Sequence, residues 1–227
     1  MFHETNITSL PFEVLSFIFI LSENPQLPYT CRLLYQVASH EHVRLEWLLQ
    51  RYGPSPIKTF YKGVRWRFFN LKLLHYLDTR YQQENKTQEV IPFKDRGIPR
   101  HFFSRIGSDT ESNKREAAEE MIRLLLDRGA SPDKPSGYPL IKSAKLGRAD
   151  LVKLLLDKGA QIDLRDNMAL RVCALEPNWE LVRLLIDRGV KPDSLTLQVC
   201  VEKNMWDMVD LLIDHGAIPN METLQHM

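Results

Sequence analysis

The sequence predicts an all-α protein: a short three-helix segment over residues 8–53, then a helical-repeat solenoid of about five units over residues 54–227. Three observations predict it. The phrase RLLLDRGA at 123–130 returns three times, as KLLLDKGA, RLLIDRGV and DLLIDHGA, and this self-similarity marks a repeat array. The glycines of those phrases, Gly129, Gly159, Gly189 and Gly216, are 30, 30 and 27 residues apart, so each unit is one supersecondary element that cannot fold alone. The apolar residues Leu151, Val152, Leu154, Leu155 and Leu156 make a face too wide for a solvent-facing helix, which neighbouring repeats must therefore cover.

Each unit follows from local chemistry. A glycine just after the last helical turn supplies the left-handed residue that ends a helix cheaply. A first helix over 139–146 follows a Ser-Gly turn, and Pro139 suits the first helical position. Further units run over 168–193 and 195–220, with Trp179 and Trp206 entering their second helices at equivalent places. Upstream, 116–133 supplies a second helix whose first partner is 99–105, and 106–114 between them is a polar inserted loop. A degenerate first unit pairs helices at 57–64 and 69–77, followed by a loop over 82–94, and 221–227 has the look of a further repeat's start.

The stretch GYPLIKSAKLGRADLVKLLLDKGAQID at 137–163 resembles the ankyrin repeat, with its proline-led first helix, glycine turn, Leu-rich second helix and Gly-Ala ending. Tyr138 and Ile141 stand where that family has Thr and His, so the hydrogen bonds those residues make at the helix start are expected to be missing, and the short period implies trimmed hairpin fingers. The resemblance implies a binding face of turn tips and inner helices. Its polar members are the expected target-binding residues: Lys142, Lys145, Arg165, Asp166, Glu176, Glu202 and Lys203.

The amino-terminal segment reads as helices over 11–21, 28–38 and 41–52, the first with more apolar surface than so small a unit can bury. Its order (Leu10, Pro11 and Glu13, aliphatic Leu15 and Ile18, then Cys31, Arg32, Leu34 and Tyr35, and finally Trp47) resembles the F-box. The layout is similar to fungal families that join an F-box to ankyrin repeats. That resemblance implies a Skp-type adaptor as partner and, through it, a cullin scaffold, with Leu10, Pro11, Val14, Leu15, Ile18, Leu34 and Trp47 bearing on the adaptor or the core beneath it. The expected function is a substrate receptor of a ubiquitin ligase whose repeats recruit the target. The alternative is an ankyrin scaffold whose first helices only cap the stack.

Composition narrows the remaining classes. The 227 residues are 44% hydrophobic and 26% charged, with a formal charge of +1, which describes a chain with a real core and no strong electrostatic bias. Residues 57–110 hold 11 Lys/Arg against 5 Asp/Glu, or +6, and KTFYKGVRWR at 58–67 interleaves basic and aromatic residues as single-strand readers do. The expectation is that these aromatics pack a core and the bases decorate its outside, so nucleic acid is not the expected partner. Three widely spaced cysteines make no disulfide framework, which favours a reducing cytoplasmic or nuclear setting. The most signal-like stretch, 12–21, is short of the roughly 20 residues that span a bilayer.

No phosphate-binding, dinucleotide, nucleophile-elbow or zinc-protease pattern occurs, so no catalytic residue, cofactor or metal is expected. Cys173 and Cys200 occupy one place in consecutive repeats, where Ser143 stands a unit earlier, and read as a small-residue packing site. His40 and His42 read as a solvated turn.

Overall fold

A computed structural model describes residues 7–107, 112–176 and 178–226. Among them the chain forms fourteen α-helices and no strand, with one isolated bridge between Gly97 and Ser131. The fold is an all-α helical repeat. Two compact units divide it, Met1–Pro92 and Phe93–Met227.

The first unit contains α1 (Phe12–Ser22), α2 (Arg32–Ser39), α3 (Glu41–Tyr52), α4 (Pro56–Gly63) and α5 (Leu71–Asn85). Helix α1 packs on α2 and α3, and α4 bridges α3 and α5. Two side chains start helices as expected of caps: Asn70 Oδ1 accepts from Leu73 N at 3.0 Å, and Cys31 Sγ accepts from Leu34 N at 3.5 Å. Trp47, with no exposed surface, is the hub. Phe19 stacks on it at 5.8 Å, and Trp66 and Phe68 meet it edge-on at 5.2 and 5.9 Å.

That hub reaches past α4. The indole of Trp66 also donates to Tyr52 Oη at 2.8 Å, so the segment after α4 is tied to α3. Phe60 and Phe69 are fully buried and Trp66 half-buried, while Lys58, Lys62, Arg65 and Arg67 are exposed, so the basic and aromatic residues of 58–67 do separate to outside and inside. Helix α5 runs to Asn85, into the expected loop, and stops where Lys86 turns left-handed at φ 49°.

The second unit pairs α6 (Arg100–Ile106) with α7 (Ser112–Asp127), α8 (Tyr138–Lys145) with α9 (Ala149–Asp157), α10 (Leu164–Leu175) with α11 (Trp179–Asp187), and α12 (Ser194–Glu202) with α13 (Trp206–Asp214). A last helix, α14 (Met221–His226), packs on α12 as α12 packs on α10 and α10 on α8. The inserted loop expected at 106–114 falls in part on 108–111, outside the described residues, and α7 begins at Ser112, earlier than expected.

Four identical stops confirm the period. After α9, Gly159 N donates to Leu156 O at 2.9 Å and Ala160 N to Leu155 O at 2.9 Å, and the same pair of bonds closes α7, α11 and α13 at Gly129, Gly189 and Gly216. These are Schellman motifs, and they need the positive φ of 86° to 93° that these glycines adopt. Leu151, Val152, Leu155, Leu181, Val182 and Leu185 are fully buried, as the array requires. Ser143, Cys173 and Cys200 are likewise buried at one repeating place.

Candidate functional site

Helix α1 is apolar on both faces. Leu15 and Phe19 enter the core, while Val14, Phe17 and Leu21 are 42%, 64% and 66% exposed and Ile18 is half-buried. Positions 14, 17, 18 and 21 share one helical face, so they make a continuous stripe. Leu10 is half-buried and Pro11 exposed at its amino-terminal end. Beside α1, Phe12 sets its edge on His40 at 4.8 Å, and exposed Tyr29 and Tyr35 stand 6.5 Å apart.

This arrangement divides the seven residues expected to bear on an adaptor. Leu10, Pro11, Val14 and Ile18 are accessible. Leu15, Leu34 and Trp47 are 1%, 2% and 0% exposed and lie in the core beneath, the second of the two places expected for these residues. The sequence reading omitted Phe17 and Leu21, which the i, i+3, i+7 spacing from Val14 would have supplied. Cys31 is half-buried as a helix cap, not a core residue.

On the repeats, the seven expected target-binding residues do not form one patch. Glu176, Glu202 and Lys203 gather where inner helices α10 and α12 end, with Lys203 Nζ donating to Leu175 O at 3.1 Å across the repeats. Exposed Lys145 closes α8 at the corresponding end, and Lys142 is half-buried a turn earlier. Arg165 and Asp166 are exposed at the opposite end of α10, roughly 12 Å away along eight helical residues.

Arg165 and Asp166 are also not on a helical face. With Asn167 they adopt φ of 57°, 54° and 54°, a left-handed turn ahead of the right-handed helix that starts at Met168. Three non-glycine residues in that region cost on the order of 1 kcal/mol each. One tertiary and one local bond hold them: Asn167 Nδ2 donates to Lys191 O at 3.0 Å, and Arg171 Nη2 donates to Asp166 O at 2.8 Å.

Charged side chains link successive repeats. Lys158 pairs with Asp127 at 2.8 Å and Arg188 with Asp157 at 3.0 Å, one rung per repeat. Arg148 meets Glu119 at 2.7 Å, the more buried link. These pairs set register and leave the surface charge mixed.

Two of the cysteines are buried in the repeats. Burial pushes the Cys173 thiol up to about 12 and that of Cys200 up to about 11, the latter slightly relieved by Lys203, so both are protonated at neutral pH. No cluster of three or more His, Cys, Asp or Glu able to hold a metal occurs among the described residues, and no helix there is long and apolar enough to cross a membrane.

Stacked helix pairs define the chain as a helical-repeat protein. A family model agrees: Ankyrin repeat matches residues 138–167, which cover α8, α9 and the turn into α10, and this supports an ankyrin-repeat protein. The match touches none of residues 8–53. No match was found among curated proteins or solved structures.

Proposed function

We propose that this protein is an interaction adaptor of the ubiquitin system, a substrate receptor that uses its amino-terminal helices to dock a Skp-type adaptor and its repeats to hold a target. The observation that carries the reading is the open stripe Val14, Phe17, Ile18 and Leu21 on α1, backed by the Leu15, Phe19 and Trp47 core. An apolar stripe on a helix whose other face is already packed costs solubility unless a partner covers it. The residue order resembling an F-box names the partner, and through that adaptor a cullin scaffold.

The protein would perform no bond chemistry. It would raise the effective concentration of a target's lysines near a recruited conjugating enzyme. Such a receptor works in the cytoplasm, the nucleus or both.

The test is a pull-down of purified Skp-type adaptor with the full chain and with a Val14→Asp, Phe17→Asp, Leu21→Asp variant, whose changes lie outside the core. Saturable binding by the intact chain that the folded variant loses supports the reading. Absence of binding by the intact, folded chain leaves an ankyrin scaffold with a helical cap.

A further inference from the structure

We infer that the hairpin edge of the last two complete repeats, where α10 turns into α11 and α12 into α13, binds an extended basic peptide segment carrying two cationic side chains three residues apart. The inference rests on the stack being a protein-binding module and is independent of any adaptor at the amino terminus.

Two tryptophans open the case. Trp179 and Trp206 are the first residues of α11 and α13 and are 37% and 44% exposed, whereas Trp47 is wholly buried. The same place in the preceding repeat is Ala149, so the repeat itself has no need of an indole there. Exposed tryptophan is costly to keep in water and is enriched where partners bind.

Charge decides the occupant. Each tryptophan is followed by an exposed carboxylate, Glu180 or Asp207, and stands just past an exposed glutamate that ends the inner helix, Glu176 or Glu202. A glutamate at a helix carboxyl end opposes the macrodipole, so helix stability does not account for Glu176 and Glu202. In an antiparallel hairpin the negative end of one helix lies beside the positive end of the next. The two end charges offset each other, and the side-chain carboxylates remain.

The cations nearby are fewer. Lys203 Nζ donates to Leu175 O at 3.1 Å and keeps its charge, and Arg183 lies one turn along α11, where α13 has the carboxylate Asp210 instead, so two cations stand against five carboxylates. Glu202 accepts from Gln198 Nε2 at 2.9 Å, which leaves its charge in place. An indole face flanked by carboxylates attracts arginine and lysine through cation–π and ion-pair terms together and repels nucleic acid.

Spacing sets the pattern. Successive repeats stack through α10 and α12, and packed helices stand about 8 to 10 Å apart, which sets the step from one tryptophan to the next. An extended chain advances about 3.3 Å per residue, so cations at positions i and i+3 reach both indoles. The edge ends at the preceding repeat, where Ala149 offers no indole and exposed Lys145 stands at the place of Glu202.

Fluorescence anisotropy on the full chain tests this with a labelled Gly/Ser peptide bearing two arginines at i and i+3, against one with adjacent arginines and one with glutamates at i and i+3. The i, i+3 peptide is expected to bind saturably and more tightly than either control. Trp179→Ala and Trp206→Ala each weaken it roughly tenfold, in chains that circular dichroism shows to be folded, since Ala149 shows that the helix start accepts alanine. Glu180→Gln with Asp207→Asn weakens binding further and flattens its salt dependence.

Equal binding of arginine and glutamate peptides overturns the inference, as does tryptophan substitution without effect on affinity in the folded chain. Self-association of the full chain that Trp206→Ala abolishes overturns it too, since a second copy would then be the occupant. A chain that captures its adaptor or another protein but no basic peptide sinks this inference and leaves the proposed function standing.

Discussion

Arg171 on α10 reaches Asp193 at the start of the next repeat, 3.1 Å between Nη2 and Oδ2, while the other carboxylate oxygen of Asp193 accepts from Thr196 N at 2.7 Å and Thr196 Oγ1 at 2.6 Å. One carboxylate thus caps its own helix and ties it to the previous repeat. One unit later Asn220 Oδ1 accepts the same two bonds from Thr223, both at 2.7 Å.

Asp193→Ala is therefore expected to lose about 2 kcal/mol, from a cap worth about 1 kcal/mol and a half-buried guanidinium left without its carboxylate. Asp193→Asn keeps the cap, as Asn220 does, and should lose about half as much. Urea midpoints at unchanged slope measure both. Equal losses would mean that the cap contributes nothing, and no loss in Asp193→Asn that the ion pair contributes nothing.

The glycines divide by what surrounds them. At Gly189, φ is +93° and an added Cβ meets nothing within 4 Å, so Gly189→Ala should cost about 1 kcal/mol of backbone strain alone. At Gly137, φ is +71° and the Cβ would stand 3.0 Å from Leu164 Cβ and 3.2 Å from its Cδ1. Gly137→Ala should then cost about 2 kcal/mol or more, as strain and crowding add. Thermal melts of the two variants give the order directly.

Helix α1 should respond by face. Leu15→Ala empties a site that is 1% exposed and is expected to cost roughly 2 to 5 kcal/mol. Phe17→Asp, at a side chain 64% exposed, should change stability by no more than about 0.5 kcal/mol while raising solubility. Chemical denaturation of each separates a core residue from a docking one.

Buried thiols make alkaline stability depend on Cys173 and Cys200. Their folded values, about 12 and about 11, lie above the ordinary thiol value of 9.0, so the unfolded chain releases these protons first. Their contribution is whole below pH 9.0 and is lost as pH rises from there through about 11 for Cys200 and about 12 for Cys173. A Cys173→Ala, Cys200→Ala variant should lose stability less steeply above pH 9.0 than the parent. Parallel pH profiles would show that neither thiol matters.

Much of this was legible without coordinates, because repetition reports on packing. The phrase ending in Gly129, Gly159, Gly189 and Gly216 carried both the helix face and its stop, and each glycine closes a Schellman motif. The matched place of Ser143, Cys173 and Cys200 foretold their burial. Helix ends were less legible: α5 runs eight residues past the 77 at which the sequence reading stops it, since polar residues such as Gln82 and Gln83 are compatible with helix or loop.

What the sequence by itself determined was the class of fold and its period, which depend on local propensity and on an apolar pattern that repeats. Only the tertiary structure decided which apolar residue faces inward. Leu15 and Phe17 are two positions apart on one helix and equally hydrophobic by type, yet one is core and the other open surface. The left-handed turn at Arg165, Asp166 and Asn167 was equally invisible: Asp and Asn tolerate that conformation in many settings, and the bond from Asn167 to Lys191 that selects it here comes from the next repeat.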